Sequence, residues 1–180
     1  MFNNNKLLRD YKLCIMLVGL PASGKSTIRN KILNEFIPND NNFVVISRDD
    51  ILEKHIANLG ITYRESFGDQ EFQDKINMEF DQLKTNSIGH NVIIDLTNLS
   101  KKVRENNLQP YKTSDTNYLY VAIVCKSSMK ELLERNNARE ETGRNIPIDV
   151  IMSMIERYED PVISEGFDII LDAIRFLTNF

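Results

Sequence analysis

Gly19-Leu20-Pro21-Ala22-Ser23-Gly24-Lys25-Ser26-Thr27 is the stretch that decides the fold of this 180-residue chain. It matches the pattern G-x-x-x-x-G-K-[ST] at every fixed position, after an apolar run at 13–18 and before a helix-like segment at 27–36. Glycines let such a loop curl so that several backbone N–H groups face one phosphate, and the N-terminus of the following helix adds partial positive charge. The sequence therefore predicts a phosphate-binding loop.

The side chains of this loop predict how a nucleotide is held. Lys25 is expected to reach the β- and γ-phosphates, and the Ser26 hydroxyl is expected to bind Mg²⁺. GTPases carry the same loop, but the D-x-x-G and N-K-x-D motifs that they also need are not found at plausible places, so we expect ATP with Mg²⁺. The expected nucleotide-binding residues of the loop are Gly19, Pro21, Ala22, Ser23, Gly24, Lys25, Ser26 and Thr27.

Strand-like and helix-like segments alternate along the chain. Apolar strand-like runs lie at 13–18, 43–46, 92–94, 118–124 and 167–171, and helix-like segments lie at 27–36, 50–59, 70–83, 129–136 and 149–158. This alternation is typical of a parallel sheet that is covered by helices on both faces. We therefore predict an α/β P-loop kinase fold, a three-layer sandwich with four to five parallel strands and a helical lid, in a single domain over 1–180.

Composition and charge fit a globular protein with a local binding site. Apolar residues make up 42% of the chain and charged residues 27%, and the net charge of −4 gives no basic field over the whole protein. A nucleic-acid partner, DNA or RNA, would bind in a local groove. Cys14 and Cys125 lie in strand-like runs and are interpreted as small buried hydrophobes. With no apolar run long enough to span a membrane, we expect a cytoplasmic protein; the oligomeric state stays open.

Two acids follow the second strand-like run, in Ser47-Arg48-Asp49-Asp50. In a parallel sheet this position is the carboxyl edge, beside the phosphate loop. A kinase needs a carboxylate there to accept the proton of the attacking hydroxyl, whereas an acid at the start of a helix can instead cap it. We assign the general base to Asp49, with capping or Mg²⁺ ligation as its alternatives, and expect that Asp50 can supply the cap.

Asp95 ends the third strand-like run and is a second candidate at the same edge. An acid there can hold Mg²⁺ or position the acceptor, and the alternative is a structural partner for a basic residue. Thr97 and Asn98 follow directly and are expected to contact the acceptor.

A basic segment near 128–148 is predicted to form the lid. Arg135 and Arg139 are four residues apart and would share a helix face, before a break at Gly143 and a basic residue, Arg144. Arginine suits bidentate phosphate contact and the charge that develops on a transferred phosphoryl group. The alternative is a solvated face, with the arginines paired to nearby glutamates.

Together these motifs resemble those of the phage-type 5′-polynucleotide kinases. The resemblance covers about residues 12–158. Its motifs are GLPASGKST at 19–27, RDD at 48–50, DLTN at 95–98, RNNAR at 135–139 and IPIDVI at 146–151. It implies that Lys25 and Ser26 hold the phosphates and Mg²⁺, that Asp49 is the general base, and that Asp95 supports the acceptor. It also implies that Arg139 stabilises the transition state, with Arg135 and Arg144 as further lid contacts.

The chain departs from that family on the acceptor side. The family often has an Arg three residues after the catalytic Asp, where this chain has Leu52, so Lys54 or Arg64 would have to take its place. The long stretch before Pro147 also lets Arg144 compete with Arg139. The phosphatase motif D-x-D-x-T of the phage enzymes is not found, so we expect kinase activity only.

We expect the acceptor to approach along Tyr63, Arg64 and Phe67, under the lid. The hypothesis favoured by the sequence is a kinase that acts on a polynucleotide hydroxyl, most simply the 5′-OH. A variant acts on a hydroxymethylated base such as 5-hydroxymethyluracil. The alternatives are a small-molecule kinase of the same superfamily and a non-catalytic nucleotide-binding module.

Overall fold

A five-stranded parallel sheet forms the centre of the protein. The computed structural model describes residues 11–35, 43–140 and 143–178, apart from the side chain of Arg64. The strands, in the spatial order β2-β3-β1-β4-β5, are β1 (Lys12–Val18), β2 (Phe43–Ile46), β3 (Asn91–Asp95), β4 (Tyr118–Val124) and β5 (Ile169–Asp172). All neighbouring pairs are parallel, which confirms the predicted fold class.

Eight helices are described around this sheet. They are α1 (Lys25–Glu35), α2 (Arg48–Leu59), α3 (Tyr63–Ser66), α4 (Gln70–Asn86), α5 (Lys101–Lys112), α6 (Met129–Asn137), α7 (Ile148–Glu156) and α8 (Ala173–Thr178). The predicted end of the first helix at Phe36 lies outside the described residues. The sequence did not predict α5, whose mostly polar sequence contains Pro110, or the short helices α3 and α8.

Both faces of the sheet are covered, as the apolar strands predicted. Side chains alternate along β1, so that Cys14, Met16 and Val18 pack on one face with Leu108 and Tyr111 of α5. The other face holds a second core, which joins residues of β1 to those of α1 and α8: Ile15, Leu17, Ile28, Ile32 and Phe176. Both cysteines are free and buried, in agreement with their interpretation as core residues.

The first turn of α2 is capped differently from the prediction. Ser47 is the N-cap, and its hydroxyl accepts a hydrogen bond of 3.1 Å from the backbone N–H of Asp50. The expectation that Asp50 supplies the cap was therefore wrong, because the residue before the two acids already supplies a capping oxygen. The helix ends at Gly60, in the left-handed conformation that was expected for a glycine stop.

Arg104 of α5 organises the chain behind the site. Its side chain is fully buried and forms a bidentate ion pair with Glu165, at 2.7 and 2.8 Å. Its Nη1 also donates to the carbonyl oxygens of Asn98, Leu99 and Glu159. One guanidinium thus ties the loop after β3 to the segment that leads into β5.

We expect Glu165→Gln to destabilise the protein strongly. The amide keeps the shape of Glu165 but leaves the buried charge of Arg104 without a counter-ion, which costs about 3–5 kcal/mol in comparable cases. Urea unfolding followed by circular dichroism measures the loss as a fall in the midpoint. The matched control is Glu105→Gln on the exposed face of α5, which should unfold at the parent midpoint. Equal midpoints for both variants would contradict this account.

Candidate active site at the phosphate loop

An open cleft of about 1690 Å³ lies at the carboxyl edge of the sheet. Its walls are the phosphate loop, the first turn of α2, the chain around α3, the end of β3, parts of 126–139 and 143–154, and α8. All of the sequence-predicted catalytic residues line it: Lys25, Asp49, Asp95 and Arg139. The cleft therefore brings together residues as distant in the chain as Lys25 and Arg139, which are 114 positions apart (139 − 25).

The geometry of the loop fits a phosphate. A Cβ atom at Gly19 would stand 2.4 Å from the carbonyl oxygen of Cys125, so only glycine allows this close approach. Gly24 has φ 96°, a conformation that other residues rarely adopt. The buried Ser23 hydroxyl has no hydrogen-bond partner among the described residues. A buried polar atom without a partner is costly, and a bound phosphate oxygen would satisfy it.

Lys25 is folded back onto the loop. Its Nζ donates to the carbonyl oxygens of Gly19 at 3.0 Å and Leu20 at 2.8 Å. Burial lowers the pKa of this ammonium, the Asp95 carboxylate opposes that shift, and the positive charge of Arg139 adds to it. Lys25 is thus held by two neutral acceptors at the place where phosphates of a nucleotide would enter.

Arg29, which the sequence analysis did not single out, bridges two acids of the site. Its Nη1 lies 2.9 Å from Oδ2 of Asp50 and 3.1 Å from Oδ2 of Asp95. Arg29 follows Lys25 by four residues and so shares its helix face, a spacing that could have flagged it. The structural alternative for Asp95, a partner for a basic residue, is therefore realised, although the residue also lines the cleft.

The two acids of α2 differ in their contacts. Asp50 accepts hydrogen bonds from Arg29 with both carboxylate oxygens. Asp49 is exposed to the cleft and forms no ion pair with the described residues. Burial raises the pKa of Asp95, the charges of Arg29 and Lys25 oppose this, and those of Asp50 and Asp49 reinforce it. Asp49 is thus the acid whose oxygens are available to an incoming hydroxyl.

The loop after β3 is structural at Asn98. This residue is fully buried at φ 52°, and its Nδ2 donates to the carbonyl oxygen of Leu17 at 2.7 Å. Its Oδ1 accepts a bond from Asn107. The expectation that Asn98 contacts the acceptor was therefore wrong, because both ends of its amide bind the protein. Thr97 contributes its carbonyl oxygen to the N–H of Gly19 at 3.0 Å.

The predicted lid segment is a helix, a loop and a helix, but its arginines do not share a helix face. Because α6 ends at Asn137, Arg139 lies in the following turn. Asn136 closes this loop, since its side-chain amide exchanges two hydrogen bonds of 2.9 Å with the backbone of Ile146. Pro147 is the N-cap of α7 and does not occupy its first turn.

The two flanking arginines contact opposite walls of the cleft. Arg135 donates to the carbonyl oxygen of Ala22 in the phosphate loop at 3.2 Å and lies 3.4 Å from Glu131. Arg144 forms an ion pair of 2.8 Å with Glu53 of α2. Arg135 and Arg144 thus each pair with a glutamate, and both also line the cleft.

On the expected acceptor side, two aromatic rings line the cleft. Tyr63 and Phe67 pack edge to face with centroids 5.1 Å apart, and Phe67 is 55% exposed. Leu52 is buried in the core between α2 and α4. Lys54 lies at a smaller pocket on the outer side of α2 and does not line the cleft. The side chain of Arg64 lies outside the described residues.

Magnesium would depend on the nucleotide for most of its ligands. The described part of the chain contains no group of three or more His, Cys, Asp or Glu residues that could hold a metal ion. Mg²⁺ is commonly bound through one or two protein oxygens together with substrate phosphates, and Ser26 and Asp95 at the cleft suit that mode. Bound Mg²⁺ would neutralise phosphate charge.

The chain also resembles known proteins that contain this type of domain. Residues 14–161 match the AAA domain family AAA_33. The chain belongs to this family. It is 30% identical over 158 residues to the L-seryl-tRNA(Sec) kinase of Methanococcus maripaludis, which covers 87% of this chain and 56% of that protein. The chain thus spans about half the length of this curated relative.

Solved structures show the same fold for this AAA-domain protein. A candidate kinase from Chloroflexus aurantiacus superposes with a TM-score of 0.65 at 20% identity, over 91% of this chain and 85% of that one. A fungal RNA kinase superposes with a TM-score of 0.53 at 17% identity, over 90% and 73%. With the family match, they show an α/β fold of the P-loop kinase type. Within the described residues, every helix is too short or too polar to serve as a membrane span.

We expect Lys25→Ala to reduce phosphoryl transfer at least about 100-fold, because removal of one preorganised contact to a developing charge has effects of that size. Transfer from labelled ATP measures the rate. Thermal unfolding should show an intact fold, because among the described residues the Lys25 ammonium bonds to two loop carbonyls alone. Lys130→Ala, on the exposed face of α6, is the control and should keep parent activity. More than a few per cent residual activity in Lys25→Ala would refute its role.

We expect Asp49→Asn to lower kcat by about 10²–10⁴-fold, the usual contribution of a general base. Nucleotide affinity should change little, since Asp49 makes no ion pair with the described residues of the loop. Asp50→Asn is the discriminating comparison, because its carboxylate is already bound to Arg29. A larger kcat loss in Asp50→Asn than in Asp49→Asn would show that the two acids were assigned the wrong way round.

Proposed function

We propose that the protein transfers the γ-phosphate of ATP to a hydroxyl carried by a nucleic acid, with the 5′-OH of a polynucleotide as the first candidate acceptor. The observation that carries this proposal is the shared cleft. The carboxylate of Asp49, which forms no ion pair with the residues that the structure describes, and the exposed ring of Phe67 line the same space as the phosphate loop. A base stacked on the aromatic pair would bring a hydroxyl of the same strand towards Asp49.

The chemistry follows from the positions of the side chains. The backbone N–H groups at the start of α1 and the Lys25 ammonium bind the phosphates, and Ser26 and Asp95 hold Mg²⁺. Asp49 accepts the proton of the acceptor hydroxyl while the hydroxyl oxygen forms a bond to the γ-phosphorus. The bond between the γ-phosphorus and the oxygen that bridges it to the β-phosphate breaks, and ADP is released. Arg139, whose charge acts on Lys25, stabilises the transferred phosphoryl group.

Three features support a nucleic-acid acceptor. Base stacking on an aromatic side chain contributes about 1–3 kcal/mol and tolerates different bases, and the Tyr63–Phe67 pair offers such a ring at the cleft. The open cleft leaves room for a strand beside a nucleotide. A relative that matches most of this chain is named as a kinase of L-seryl-tRNA(Sec). In this proposal, residues 128–148 act as the lid of a single kinase domain over 1–180.

A second candidate acceptor is the seryl hydroxyl of an aminoacylated tRNA. The 30% identity to the L-seryl-tRNA(Sec) kinase over 87% of this chain favours it. Both candidates place the hydroxyl on a nucleic acid, and they differ in whether the phosphate ends on a sugar or on an amino acid.

An acceptor survey with labelled ATP tests the proposal. We expect label on single-stranded oligonucleotides that carry a 5′-OH and none on the same strands with a blocked 5′ end. Label on seryl-tRNA would select the second candidate, and label on strands with hydroxymethylated bases would select the base-modifying variant.

The matched control for this survey is Asp49→Asn, which should lower acceptor-dependent labelling by the same factor of about 10²–10⁴ as its kcat. Transfer to sugars or nucleosides, with no label on any nucleic acid, would contradict the proposal in favour of a small-molecule kinase.

A further inference from the structure

Arg48 differs from Arg29, Arg135 and Arg144 in what it contacts. Arg29, Arg135 and Arg144 each have a carboxylate within 3.4 Å. Arg48 also lines the cleft, but it forms no ion pair with any residue in the described ranges. Its contacts are two neutral amides, since Nε donates to Oδ1 of Asn77 at 2.9 Å and Nη2 donates to Oε1 of Gln73.

The two amides hold the guanidinium in a fixed place. Gln73 and Asn77 are four residues apart on α4 and so present one face. The Gln73 amide is itself anchored, because its Nε2 donates to the carbonyl oxygen of Ser66 at 2.7 Å. Ser66 is fully buried and ends α3, the helix that begins at Tyr63. The orientation of Arg48 is therefore tied to the aromatic side of the cleft.

The two positions of α4 that contact Arg48 are neutral, although the helix also carries acids. The helix carries four acids, Glu71, Asp74, Glu79 and Asp81. Two of them pair elsewhere, Glu79 with His55 and Asp81 with Lys84. The two residues that contact Arg48 are both amides, so neither adds a negative charge next to the guanidinium. Its Nη1 makes no hydrogen bond with the part of the chain that the structure describes.

The surroundings of Arg48 place this charge next to the proposed chemistry. Arg48 directly precedes Asp49 in the first turn of α2. Tyr63 lines the same cleft as Arg48 and Asp49; burial and the charge of Asp49 raise the pKa of its hydroxyl, and the charge of Arg48 opposes them. Arg48, which has no carboxylate partner among the described residues, thus lines the same cleft as the candidate base and the aromatic pair.

We propose that Arg48 is the residue that recognises the acceptor, by binding a phosphate of the strand whose hydroxyl approaches Asp49. This inference rests on the proposed function. Arginine has the planar donor geometry that matches a phosphate, and the amides of α4 supply orientation without neutralising its charge. The ligand class is a phosphodiester anion close to the reacting end of a nucleic acid.

The test compares acceptors and variants together. The probe is a short single-stranded 5′-OH oligonucleotide, made either with phosphodiester linkages or with uncharged methylphosphonates next to its 5′ end. For the parent, we expect the methylphosphonate to raise KM about tenfold or more, as for the loss of a hydrogen bond to a charged group. Arg48→Gln should show the same rise with the phosphodiester and no further rise with the methylphosphonate.

A second variant separates charge from structure. Asn77→Asp keeps the acceptor oxygen for Arg48 and adds a negative charge, so it should stay folded and still lose discrimination between the two probes. In both variants, the slope of log binding constant against log salt should fall by about 0.7, as for one lost phosphate contact on a single strand. The control is Arg157→Gln at the exposed end of α7, which should match the parent.

The outcomes separate the two proposals. If the parent phosphorylates the oligonucleotides and Arg48→Gln still discriminates the probes by the parent factor, this inference is overturned while the proposed function stands. An Asn77→Asp variant with parent discrimination also overturns it. If the parent neither binds nor phosphorylates any oligonucleotide, the proposed function fails and this inference fails with it.

Discussion

The parallel pairing of β1 with β3 is the constraint on which the rest of the site depends. Its register sets Leu17 opposite Asp95, so the phosphate loop starts beside the acid that ends β3. Two hydrogen bonds continue the pairing past the strand ends, from the N–H of Gly19 to Thr97 and from the amide of Asn98 to Leu17. A shift of one residue would turn the side chains of a strand to the opposite face and would remove Asp95 from the cleft.

This register brings Lys25 and Asp95 close enough for each charge to affect the pKa of the other. Burial lowers the pKa of Lys25 and raises the pKa of Asp95, so burial alone would favour the neutral form of both groups. Each group opposes this shift in the other, and Arg29 adds a second cation within 3.1 Å of Asp95. Within the described part of the chain, the Lys25 ammonium bonds only to carbonyl oxygens. An incoming phosphate therefore replaces weaker, neutral partners and does not have to break an ion pair.

The sequence predicted what depends on local patterns. The phosphate loop, the five strands to within two or three residues, and the acids at the ends of β2 and β3 all follow from motifs and apolar runs. Contacts between distant elements were not predictable, because the periodicity of one element does not indicate which residue it contacts in another. Arg104 inside the core and Asn98 between β1 and β3 show this. The prediction that Arg139 shares a helix face with Arg135 was wrong, because α6 ends at Asn137. A contact between distant residues shapes the chain there, since the backbone N–H of Ile146 bonds to the side chain of Asn136, ten residues earlier.

The first turn of α2 shows how helix geometry can assign a role that sequence spacing leaves open. Consecutive helical residues point about 100° apart, so three in a row cannot share one direction. Arg48 is bound by amides of α4, and Asp50 is bound by Arg29 of α1. These two helices flank the turn, and the residue between the two occupied directions faces the cleft. Asp49 is therefore the acid of this turn that lines the cleft without an ion pair to the described residues, whereas Asp50 is bound to Arg29.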